Sequence, residues 1–165
     1  MVPRLLTWLV AAAWSASAAA IEISNPEVAC HLMAPHGLPG RGDSGVAGGG
    51  SFRCESRRRT LPLGGEPAHE IRYFAAGTAG RVESLNLQLT INSREEIQAA
   101  HRRLLNYTAE LAKDALGAEV PEEMAAAILS ANNGQFEIGG KQATVRKAQV
   151  RGLFYELIVS IGLVD

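Results

Sequence analysis

The sequence predicts an α+β fold: a mostly antiparallel sheet of about four to six strands, two consecutive helices packed on one face, and one disulfide-tethered N-terminal loop. Three observations carry this prediction. From residue 71 onward the patterns run as two strands, two helices and three strands, a grouping that suits an antiparallel layer better than a parallel one. Leu85, Leu87, Leu89 and Ile91 alternate with Asn86, Gln88, Thr90 and Asn92, the period of a strand with one buried and one wet face. Cys30 and Cys54 are the only cysteines, and in an exported chain a lone pair most simply forms one disulfide.

Residues 1–20 have the layout of a secretory signal peptide that is cleaved off. Arg4 supplies a short basic start, an apolar run covers residues 5–13, and Ala16, Ser17, Ala18, Ala19 and Ala20 offer small-x-small cleavage sites. The apolar run is too short for a bilayer span. Residues 21–165 are expected to form a single α+β domain. Arg4 is the only charge among the first 20 residues, so of 16 basic and 17 acidic residues the remainder keeps 15 and 17, a net charge of −2. That balance gives no bulk attraction to nucleic acid or to an anionic membrane, and no second apolar run predicts stable membrane insertion after cleavage.

Residues 21–33 read either as a short strand or as a helical turn after Asn25-Pro26. Residues 37–50 are half glycine and include Pro39, which predicts a flexible loop lying wholly inside the Cys30 to Cys54 ring. A short strand with Phe52 and Cys54 follows, and then the run Arg57, Arg58, Arg59. Ile71, Tyr73 and Ala75 mark a strand that turns near 77–80 into the strand at 82–91, which predicts a hairpin.

Ser93 with Glu96 reads as a capping box for a helix over about residues 94–116, closed by Gly117. Pro121, Glu122 and Glu123 open a second helix, which Asn132-Asn133-Gly134 ends. Gly139-Gly140 predicts a tight hairpin between strands at 135–138 and 141–147. Leu153, Tyr155, Leu157, Val159, Ile161 and Leu163 then alternate in the longest strand. Phe154 and Ile158 on its other face predict a central strand covered in part on both sides.

The chemistry-bearing residues assemble into no catalytic, cofactor-binding or metal motif. The glycine run at 48–50 lacks the Lys-Ser/Thr of a phosphate loop. His31, His36, His69 and His101 lack zinc-type spacing with each other or with the cysteines. Glu95-Glu96 and Glu122-Glu123 are accounted for by helix starts, and no nucleophile elbow is present. No cofactor is implied.

The reading is therefore a small exported protein, periplasmic or secreted, that is non-enzymatic and acts by binding another envelope or secreted protein. Candidate contact residues are Arg41 and Asp43 in the glycine-rich loop and Arg57, Arg58 and Arg59. The alternatives are a carrier of a small apolar ligand between sheet and helices, or a hydrolase using His69 and His101.

Overall fold

The computed structural model describes residues 23, 25–42, 50–78, 80–151 and 154–164. The signal-peptide reading of residues 1–20 and Asp43 fall outside them. Pro26–His31 form helix α1, resolving the ambiguity near Asn25 in favour of a helix. Asn25 caps it, its Oδ1 accepting from the Glu27 N–H at 2.9 Å, and Pro26 occupies the first turn. Next come strands β1 (Gly40–Arg41), β2 (Ser51–Ser56), β3 (Arg59–Thr60), β4 (Glu70–Thr78) and β5 (Arg81–Ile91). Helices α2 (Ile97–Leu116) and α3 (Glu122–Ser130) follow, and β6 (Gly134–Ile138), β7 (Lys141–Arg151) and β8 (Phe154–Gly162) close the chain.

All eight strands join one antiparallel sheet, in the order β1-β2-β4-β5-β8-β7-β6, with β3 also paired to β4. The fold class is thus α+β as expected, with more strands than the four to six anticipated and a third helix. The additional strands, β1 and β3, are two-residue pieces too short to show an alternation. Gly40–Arg41 pair with Glu55 and Ser56. Arg59–Thr60 pair with Ile71 and Glu70, while β7, expected over 141–147, runs on to Arg151.

The Tyr73↔Leu87↔Val159↔Val145 row of cross-strand partners defines the buried face. All three helices meet this face: the Tyr73 hydroxyl donates to the Ala29 carbonyl at 2.6 Å, and His101 of α2 reaches Tyr155 and the end of α3. Leu104 and Leu111 of α2 and Met124 and Ile128 of α3 are fully buried in one core with Ile71, Leu85, Leu89 and Ile161. Each such side chain contributes about 1.5–3 kcal/mol by leaving water. No helix among the described residues is long and apolar enough to cross a membrane.

The Cys30–Cys54 disulfide is formed and ties the end of α1 to β2. Part of the segment read as a flexible loop is ordered around it. Leu38 is fully buried, and Gly40 packs so closely that a Cβ there would meet the Cys30 carbonyl, with Cys54 Sγ at 2.7 Å and Cys30 Sγ at 2.9 Å. Some of the glycine in this stretch thus reflects close approach to the disulfide.

The start of α2 also departs from expectation. No capping box forms. The helix begins at Ile97, after Glu96 in the left-handed region at φ 55° with no side-chain cap bond, so Glu95 and Glu96 precede the first turn instead of occupying it. The long-range partner His69 overrides the local signal: its Nε2–H donates to the Glu95 carbonyl at 2.7 Å, and its Nδ1 accepts from the Asn92 N–H at 3.3 Å. Glu96 is exposed and carries the steric cost of left-handed backbone for an L residue. Glu96→Gly is expected to raise stability by about 0.5 to 1 kcal/mol, read by thermal denaturation; a lower midpoint would show that the Glu96 side chain contributes more than its backbone costs.

Candidate functional site

The described elements leave the sheet's second face uncovered. β8 is central, as expected, and on its second face Phe154 is 43% exposed and Ile158 half-buried. Cross-strand register builds the open face in rows: Glu55, Phe74, Asn86 and Ser160 form one, and Arg72, Gln88, Ile158 and Arg146 form the next.

Its centre is drier than alternation alone predicts. Asn86 and Gln88, assigned to a wet face, are 6% and 4% exposed. Their polar atoms are satisfied laterally: Asn86 Nδ2 donates to the Phe74 carbonyl and to Ser84, and Gln88 Oε1 accepts from Arg72 Nε at 2.8 Å. The Arg72 guanidinium also donates to Glu55 at 3.2 Å, where Arg53 joins at 3.3 Å. Both guanidinium groups lie against the Phe74 ring, Arg53 at 4.7 Å and Arg72 at 5.7 Å from its centroid, within the range of cation–π attraction.

The sequence-derived contact residues lie beside this centre. Arg41 is exposed on β1, in register with Glu55. Arg57, Arg58 and Arg59 follow β2 and are exposed; Arg58 reaches Glu70 at 3.5 Å, while Arg59 donates to the His36 carbonyl at 3.1 Å and so has a structural duty. Sequence reasoning missed Arg53, Arg72 and Phe74, although their parity on β2 and β4, opposite to Cys54 and Tyr73, was available as a signal.

The two histidines named for hydrolysis are both buried and both bound to backbone. His69 braces the turn before α2. His101, 2% exposed, donates from Nδ1 to the Leu129 carbonyl at 2.9 Å, at the C-terminal end of α3, and its Nε2 accepts from the Tyr155 hydroxyl at 2.7 Å. The carbonyl can only accept, which fixes the tautomer. Lys147 Nζ lies 4.2 Å from the Tyr155 ring centroid. Burial lowers the His101 pKa, opposed by the hydrogen bond to Leu129 and reinforced by the charges of Lys147 and His69; burial raises that of Tyr155. This arrangement suits a neutral imidazole that clamps two helices to the sheet, with the phenol kept protonated.

Among the described residues, two open clefts sit at the rim. One of about 440 Å³ is bordered by Glu66, Asn92, Arg94 and Phe154, the other of about 490 Å³ by Leu63, Arg102, Leu105 and Leu129 along α2. Neither lies between sheet and helices, where the apolar-carrier reading would need it.

No protein-family model matches the chain, and comparison with curated proteins and with solved structures likewise gives no match.

Proposed function

We propose that this chain is an exported, non-enzymatic binding protein, periplasmic or secreted, that acts through protein–protein contact made by the sheet face that no described element covers. The observation that carries the reading is Phe74 held between Arg53 and Arg72 on a face that no described element covers. Aromatic and arginine side chains are the groups most enriched at the centres of protein interfaces, and a partly dry centre lowers the cost of final desolvation. The disulfide and the lack of any membrane-length helix among the described residues are compatible with a soluble protein in an oxidising compartment.

The partner chemistry follows from charge. At the β1, β2 and β4 end, the described carboxylates beside Arg41, Arg53, Arg58 and Arg72 are Glu55 and Glu70. The complementary surface is acidic with an apolar centre, so that carboxylates engage the free guanidinium edges while an apolar side chain covers Phe74.

Affinity purification with cross-linking from the native source tests this. Phe74→Ala is expected to weaken capture of one specific partner by about 30-fold, the loss typical of a hot-spot residue, whereas Arg81→Ser at the exposed start of β5 leaves capture unchanged. An identical capture profile for wild type and Phe74→Ala would exclude this face. A bound apolar metabolite in a native mass spectrum would favour the carrier reading instead.

A further inference from the structure

We propose that His36, Glu110 and Asp114 form a zinc-binding site that fastens the disulfide-ringed segment to helix α2. One ligand atom from each residue lies within 4.8 Å of the others. Glu110 and Asp114 are four residues apart on α2, so they share one helix face. His36 arrives from a segment more than 70 positions away in sequence, and its Nε2 already meets Asp114 Oδ2 at 2.7 Å.

The imidazole is delivered by a held backbone. The His36 N–H donates to the Met33 carbonyl at 3.2 Å, the His36 carbonyl accepts from Arg59, and the segment is enclosed by the Cys30–Cys54 ring. Two of the three donors are therefore on a regular helix and the third is anchored on both sides, which is the preorganisation a metal site needs. The site is also accessible: Glu110 is exposed, and His36 and Asp114 are partly so.

The donor set selects the ion. One neutral imidazole and two carboxylates match the charge of a divalent cation and suit zinc, which takes nitrogen and oxygen donors at about 2.0–2.2 Å in tetrahedral geometry. Such bonds place donors about 3.3 Å apart, so only small rotamer changes separate the observed cluster from a closed site. Calcium requires about 6–8 oxygen ligands and magnesium a near-octahedral shell, which this trio does not supply. Without a cation, two carboxylates at i and i+4 repel each other and only one of them meets His36. A bound cation turns that repulsion into attraction, and a fourth position remains for water or a partner's side chain.

The test uses the oxidised full chain, titrated with zinc chloride by calorimetry and followed by native mass spectrometry and thermal denaturation. One zinc per chain at micromolar affinity, with a raised melting midpoint, is the expected result. Glu110→Gln is expected to weaken binding about 10-fold or more without lowering the zinc-free midpoint, because Glu110 is exposed and its repulsion of Asp114 is relieved. Asp114→Asn can still accept a hydrogen bond from His36 and is expected to weaken zinc binding likewise. His31→Ala, which removes a nearby exposed histidine, leaves binding unchanged. Absence of stoichiometric zinc binding, wild-type affinity in both Glu110→Gln and Asp114→Asn, or loss of binding in His31→Ala alone would overturn the site.

Discussion

Reduction of the Cys30–Cys54 bond is expected to lower folding stability by about 3 to 4 kcal/mol, the closure entropy of a ring of this length. The mechanism predicts where the loss arises. A ring opened in the unfolded chain lets that chain expand, so the denaturant m-value rises as the free energy falls. The folded state should keep its sheet, because the β4, β5 and β8 core is assembled by residues outside the ring. The local cost falls on α1 and β1. Gly40 packs against both sulfurs, and Leu38 and Met33 of the ring and the adjoining Ala29 are fully buried. Urea denaturation of the oxidised and thiol-reduced chain, monitored by far-UV circular dichroism, gives both quantities. A loss below about 1 kcal/mol with an unchanged m-value would mean that the unfolded segment is already compact without the bond.

Elements whose signals are local were legible in the sequence. The alternation at Leu85 to Ile91, the Gly139-Gly140 turn and the helical stripes of α2 and α3 each report their own structure within a few residues. Elements set by distant partners were misread or missed. Ser93 and Glu96 carry a sound capping pattern, yet His69, 26 residues before Glu95, captures the backbone there and delays the helix. The glycines near residue 40 suggested mobility by composition, and packing against the disulfide was their other meaning.

Site residues follow the same division. The arginine run after β2 stands out in the sequence. Arg53 and Arg72 become neighbours of Phe74 only through the register of β2 on β4. Glu110 and Asp114 show their shared helix face directly, while the contribution of His36 depends on how the disulfide ring settles onto α2. His101 has a readable signal: with Leu104, Thr108 and Leu111 it falls on the buried stripe of α2. Its partners could not be named from spacing, since Leu129 and Tyr155 lie 28 and 54 residues further on.

Stability is expected to fall as pH drops below about 6.5, with His101 carrying a distinct share of the loss. Burial lowers its folded pKa below the unfolded value. Below about 6.5 the unfolded chain therefore binds a proton that the folded chain refuses, and the slope approaches about 1.4 kcal/mol per pH unit at most. Above the unfolded pKa both states are neutral and the contribution is flat; below the folded pKa both are charged and the penalty stays constant. Protonation also puts a second donor on the ring, so the Tyr155 hydroxyl would have to turn its proton away from Nε2. Two variants separate the titration from the hydrogen bond. Tyr155→Phe leaves the buried Nε2 without its donor and should cost about 1–3 kcal/mol at pH 7.5. His101→Gln should also destabilise at pH 7.5, but it has nothing to titrate, so its stability should be flatter than that of wild type between about pH 6.5 and 5. Parallel slopes for wild type and His101→Gln across that interval would remove His101 as the source of the acid sensitivity. A Tyr155→Phe chain as stable as wild type at pH 7.5 would mean that another donor reaches Nε2 once the hydroxyl is gone.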